Sequence, residues 1–163
     1  MRVFVTGVAG QLGHDVMNEL AKHGIEGVGS DLAPVYSGIA DGSAVTSMPY
    51  VSLDITNADA VKEALERIQP DAVIHCAAWT AVDAAEDEDK KETVRLVNVV
   101  GTDNIAKVCK EQNIKMMYIS TDYVFNGQGT RPWEPDDARE PLNVYGQTKY
   151  EGELAVEALE KFF

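Results

Sequence analysis

The chain has 163 residues, 45% of them hydrophobic, enough for one buried core and a single domain. A formal net charge of −13 argues against a general nucleic-acid or anionic-membrane surface, although a helix N-terminus can still bind phosphate locally. No stretch approaches the ~20 apolar residues of a membrane span. Cys76 and Cys109 fit no metal-ligand spacing, so both read as reduced, buried thiols of a cytoplasmic protein, and no metal site is expected.

In chain order, "RVFVT" (Arg2 to Thr6) reads as a buried strand, directly followed by glycines, and its flanks do not resemble a signal peptide. "QLGHDVMNELAKHG" reads as a helix with Leu12, Val16 and Leu20 on one face. "EGVGS", ending at Ser30, is a weaker second strand, and "YVSLD" from Tyr50 a third. Between them, residues 33–49 carry no clear period and are expected to form a long, partly mobile loop. "NADAVKEALERIQP" is a helix with Asn57 as N-cap and Pro70 beyond its end. "DAVIHCAA" is a fourth strand, then a long helical region runs to about Asn113, its acidic run Glu86 to Glu92 read as a solvated helix start. "KMMYIST" is a fifth strand, and residues 126–143, rich in Gly, Pro, Asp and Arg, are a loop. This alternation predicts an α/β fold, a Rossmann-type doubly wound parallel sheet.

"TGVAGQLG" sets Gly7, Gly10 and Gly13 at three-residue intervals between the first strand and first helix, with Gln11 and Leu12 opening the helix. One glycine permits the sharp turn, one lets a pyrophosphate approach the backbone, and one lets helix and strand pack closely. Asp31 closes the second strand 24 residues after Gly7, where a carboxylate can accept from the adenosine ribose hydroxyls. No arginine follows it closely to pair with a 2′-phosphate, so the cofactor expectation is NADH or NADPH, with the lean to NADH. Asp54 and Ile55 end the third strand, placed either to meet adenine or as an ordinary strand end. Near the C-terminus, Tyr145 and Lys149 are four residues apart, one helical turn, and so share a face.

Taken together, the TGxxGxxG spacing, Ala77-Ala78 at a strand end, "NVVGTDN" with Asn98, "YISTD" and Tyr145-x-x-x-Lys149 resemble the extended short-chain dehydrogenase/reductase superfamily. Within it, "CAAWTAVDAAEDE", "STDYVFNGQGTRPW" and "PLNVYGQTKYEGE" resemble the dTDP-4-dehydrorhamnose reductase family. The resemblance implies NAD(P)H-dependent reduction of the 4-keto group of a deoxysugar nucleotide, giving dTDP-L-rhamnose. Tyr145 would then supply the proton, Lys149 would favour the phenolate and bond the nicotinamide ribose, and Thr121 would orient the carbonyl oxygen. Ala77, Ala78 and Thr80 would line the cofactor site, with Trp79 either beside the nicotinamide or simply packed.

Asp122 is followed by Tyr123 and not by the glutamate that sugar-nucleotide 4,6-dehydratases of the superfamily carry. His75 and Cys76 stand where these reductases usually show an asparagine, and His75 is given no catalytic work. The resemblance also implies a substrate lobe after the Tyr-Lys helix, so residues 1–163 are expected to be the cofactor domain, without that lobe or a sixth strand. The expected partner is a nucleotide-sugar; self-association is left open. Two alternatives stand beside this reading: a sugar-nucleotide epimerase or other reductase, and a non-catalytic dinucleotide-binding subunit resembling the regulatory subunit of methionine adenosyltransferase.

Overall fold

The computed structural model describes residues 1–159 and 163. Five strands form one parallel sheet in the spatial order β3-β2-β1-β4-β5: β1 Arg2–Thr6, β2 Glu26–Asp31, β3 Tyr50–Ser52, β4 Ala72–His75 and β5 Lys115–Tyr118. Helices α1 (Gln11–Lys22), α2 (Ala58–Ile68), α3 (Lys91–Arg95), α4 (Thr102–Glu111) and α5 (Val144–Glu157) cover it. From β1 the chain winds one way to β2 and β3, then returns to β4 and β5 on the other side of β1. The strand order therefore reverses between β1 and β4, and a crevice opens above their carboxyl ends.

Alternation along β1 divides the core. Val3 and Val5 join Met17 and Leu20 of α1 on one face, while Phe4 joins Leu65 of α2 and Ile105 of α4 on the other. The doubly wound parallel sheet is as read from the sequence, and Asn57 caps α2 by accepting from Ala60 N–H at 3.1 Å.

Several elements differ from the sequence reading. The buried residues of α1 are Gly13, His14, Met17 and Leu20; Leu12 is exposed and Val16 half-buried. A Cβ on Gly13 would lie 2.3 Å from the Gly7 carbonyl oxygen, so this contact, not the Leu-Val-Leu spacing, sets how the helix is rotated. The long helical region expected up to about Asn113 is present but not uniform: a 3₁₀ turn at Asp83–Glu86 precedes α3, which runs on through a π-helical stretch over Leu96–Gly101 into α4. Within the π stretch Asn98 leaves the helix surface to bond the Trp79 backbone, and Gly101 packs onto Ile55, where a Cβ would come within 2.6 Å. β4 stops at His75. The acidic residues of Glu86 to Glu92 are exposed, as expected, and Glu86 also accepts from the Val144 N–H at 2.7 Å. Residues 33–49 include a short 3₁₀ turn, Ala44–Thr46, pinned to α1 where Asn18 accepts from Val45 N–H at 3.2 Å. At the edge of β5, Phe163 donates to Met116 O at 2.9 Å and accepts from Tyr118 N–H at 3.0 Å.

Candidate active site

The crevice at the strand-order reversal is a cleft of ≈ 680 Å³. At its floor, Gly7 adopts φ 73°, and a Cβ there would lie 2.7 Å from the Ala77 backbone nitrogen. The exits of β1 and β4 thus approach so closely that a side chain at Gly7 is excluded twice, by conformation and by space.

Beyond Gly7, Gly10 precedes α1, which begins with no side-chain cap and no acidic residue in its first turn. The open amides of that turn, at the positive end of the helix dipole, face the cleft through Gln11, Leu12 and Gly13. At α5 the situation is the reverse. Asn143 accepts from Gly146 N–H and Glu86 from Val144 N–H, both at 2.7 Å, so the first turn of α5 is already satisfied.

Asp31 and Asp54 stand at the far end of the cleft. Asp31 accepts from Ala9 N–H at 3.0 Å and from Leu32 N–H at 2.8 Å, tying the end of β2 to the glycine turn. Asp54 accepts from the Thr56 N–H and hydroxyl at 2.9 and 2.7 Å, beside Ile55. Ala77, Ala78 and Thr80 line the middle, and Tyr145 and Lys149 the opposite end. Trp79 packs with Val82, Ala85 and Val94 around Tyr145, with its indole N–H donating to Ala81 O at 3.0 Å. Of the two readings of Trp79, packing holds.

Every position expected on the cofactor side therefore borders one cleft. Thr121 stands apart from its lining, as N-cap of a 3₁₀ turn, Asp122–Val124, its hydroxyl accepting from Tyr123 N–H at 3.3 Å.

Burial raises the Tyr145 phenol, which the neighbouring Thr121 hydroxyl partly offsets. Lys149 Nζ donates to Ile119 O at 2.6 Å and lies 4.1 Å from the centre of the Tyr118 ring. Lys149 itself, 4% exposed, is brought down to about 8 by desolvation, against an opposing pull from Glu153. Tyr145 is thus a protonated acid at neutral pH, the form needed to deliver a proton.

Sequence reasoning missed the support beneath this site. His75 is fully buried and is held neutral by desolvation, down to about 3. Thr102 gives its hydroxyl proton to Asn98 O at 2.8 Å, so it accepts from His75 Nε2–H at 3.1 Å. Nδ1 then accepts from the Thr6 hydroxyl at 2.7 Å, and that hydroxyl accepts from Ala77 N–H at 3.2 Å. Asn98 continues the network, bonding Trp79 N–H at 2.8 Å and the Thr148 hydroxyl at 3.1 Å. The strand exits and the Tyr-Lys helix are fixed through one chain of polar contacts that joins residues up to 71 positions apart. No local pattern signals such a chain. Ser30, Leu53, Cys76 and Ser120 also line the cleft.

This geometry agrees with relationships to known proteins. Residues 1–162 match the family described as "RmlD substrate binding domain". The chain belongs to that family. Among RmlD relatives, the dTDP-4-dehydrorhamnose reductase of Escherichia coli (strain K12) is 38% identical over 157 residues, 96% of this chain and 47% of that protein. The crystal structure of dTDP-4-dehydrorhamnose reductase from Bacillus anthracis str. Ames in complex with NADP superposes with TM-score 0.83 at 32% identity, over 99% of this chain and 51% of that one. UDP-glucose 4-epimerase from Brucella ovis in complex with NAD shares the fold at TM-score 0.83 and 26% identity, over 96% of this chain and 47% of that one. The chain thus spans about half the length of the RmlD relatives it matches.

Proposed function

We propose that residues 1–163 form the dinucleotide-binding domain of an NAD(P)H-dependent reductase that converts the 4-keto group of dTDP-4-dehydro-6-deoxy-L-mannose to the alcohol of dTDP-L-rhamnose. One observation carries the reading: a single cleft joins an uncapped helix N-terminus and a carboxylate at one end to a protonated tyrosine and a buried lysine at the other. The residues fit a nicotinamide dinucleotide, because the backbone cradle of Gly7 and Gly13 has no room for a Cβ. When bound, the dinucleotide supplies hydride to the keto carbon.

The chain's own residues do the rest. Gly7, Gly10 and the first-turn amides of Gln11, Leu12 and Gly13 receive the pyrophosphate. Asp31 accepts from the adenosine ribose hydroxyls, and Asp54 and Ile55 flank the adenine. Ala77, Ala78 and Thr80 bound the nicotinamide side, where Lys149 holds the ribose. Tyr145 delivers its phenolic proton to the carbonyl oxygen while Thr121 orients that oxygen. NADH is the preferred form, since the Asp31 carboxylate repels a 2′-phosphate. The nucleotide-sugar itself is gripped by a lobe outside these residues.

Fluorescence titration of the chain with NADH and NADPH, paired with NADH oxidation on the keto-sugar, tests this. Binding with little or no turnover is expected of the 163-residue chain, and dTDP-L-rhamnose formation once a substrate lobe is supplied. A C4-epimerised product in that second assay would move the reading to the epimerases, whose NAD-bound member shares this fold. Binding without any keto-sugar chemistry would favour a regulatory subunit.

A further inference from the structure

Two consecutive residues beyond β5 grip two successive turns of α5. The Ile119 carbonyl accepts from Lys149 Nζ at 2.6 Å, and the Ser120 hydroxyl donates to Glu153 Oε1. Tyr145, Lys149 and Glu153 follow at four-residue intervals and so share one helix face. The reductase reading uses the first two; Glu153 has no part in it. Yet Glu153 is only 14% exposed, a depth at which an unpaired carboxylate is costly. Its Oε2 is buried and has no hydrogen bond, facing instead the Arg139 guanidinium at 3.3 Å. Arg139, from the 126–143 loop, also pairs with Glu157 at 3.5 Å.

We propose that Glu153 is a positioning residue for the Tyr145–Lys149 pair: its carboxylate keeps the Lys149 ammonium charged inside the cleft, and Arg139 limits how strongly it does so. The surroundings of Lys149 make this carboxylate the decisive one. From β4 and the turn beyond it come neutral His75 and Cys76, whose thiol burial holds up at about 11. From β5 comes the face of Tyr118, whose phenol burial also raises. On α5 itself stand the protonated Tyr145 and Glu153. Against the desolvation that lowers Lys149, the charge that pulls upward is that of Glu153, since the Cys76 thiol is neutral where Lys149 titrates. Arg139 matters because it offsets that carboxylate from the solvent side, so the loop between β5 and α5 modulates the charge of a residue in the cleft.

The proposal rests on the reading of Lys149 as part of the reducing site, but its test does not need the dinucleotide. With [¹³C]lysine incorporated into the chain, the Cε resonance of Lys149, assigned by its loss in Lys149→Met, is followed against pH. Glu153→Gln, which keeps an acceptor for Ser120 and loses the charge, is expected to lower the midpoint by about one pH unit. Arg139→Met is expected to raise it, and Glu153→Asp to leave it close to that of the unaltered chain. Opposite movements in the first two variants are the signature, since a purely structural role would displace both in the same direction or neither. An unmoved midpoint in Glu153→Gln, or a shift of both variants the same way, overturns the proposal. Should Glu153→Gln lose its far-UV circular dichroism, Arg139→Met decides alone: a rise supports the role, and no change or a fall overturns it. Failure here would leave the reductase reading standing, which is tested by dinucleotide binding and product identity.

Discussion

Lys149 donates to Ile119 O at 2.6 Å and covers the Tyr118 ring at 4.1 Å, so its charge is held by dipoles and a π face in a largely dry site. Tyr145 is protonated at neutral pH, as a phenol ordinarily is, and burial first, with the Asp122 charge beside it, pushes its pKa further up. Replacing Tyr145 with Phe in a catalytically complete form should lower kcat by about 10²–10⁴-fold while NADH fluorescence titration stays unchanged. Loss of binding instead would make the ring a packing element of the Ala85–Val94 cluster. Asp31 holds the Ala9 N–H, and in the proposed function its carboxylate also repels a 2′-phosphate. Asp31→Asn keeps the acceptor and removes the charge, so the ratio of NADH to NADPH affinity should fall about tenfold in paired titrations.

At the scale of elements, the contrast between two helix starts decides where an anion can bind. The first turn of α5 is closed by Asn143 and Glu86, whereas that of α1 has no side-chain cap. Asn143→Ala should cost about 1 kcal/mol of unfolding free energy in urea titration. Gly13→Ala should cost more, about 3 kcal/mol, because the added Cβ meets the Gly7 backbone at 2.3 Å and nothing flexible can yield. It should also abolish NADH binding, since relief of the clash must move the turn proposed to cradle the pyrophosphate. A variant with unchanged stability and binding would show that α1 is not seated as described.

For the whole molecule, the buried titratable groups set the pH response. His75 is lowered to about 3, so the unfolded chain binds more protons than the fold between pH ~6.5 and that value. Its neutral burial is therefore fully compatible with the fold above pH ~6.5, and stability falls as the pH drops through that window. Lys149, lowered to about 8, works in the same direction at higher pH: the penalty of its buried charge is complete below pH 8 and is relieved as the pH rises toward ~10.5. The unaltered chain should thus gain stability relative to Lys149→Met between pH 8 and 9, measured by urea unfolding. The raised thiols of Cys76 and Cys109 oppose this from about pH 9 upward, so the comparison belongs below that point. A flat difference across the window would place the ammonium in a wetter site than its 4% exposure indicates.

By itself the sequence determined the parallel α/β alternation, the glycine turn and the placement of Tyr145 and Lys149 one helical turn apart. Each is local: a period of two or 3.6 residues, a triplet of glycines, a four-residue spacing. Only the tertiary structure decided the rest. The face α1 buries depends on backbone contact between Gly13 and Gly7, which overrides the apolar spacing of Leu12 and Val16. The π-helical stretch within residues 91–111 depends on what Asn98 and Gly101 meet across the fold. The polar chain from Ala77 through Thr6, His75 and Thr102 to Asn98 joins strand ends with a helix, and the charge on Lys149 depends on which neighbours exclude water from it. Burial and long-range hydrogen bonding arise only when distant segments meet, and for that reason no window of the sequence displays them.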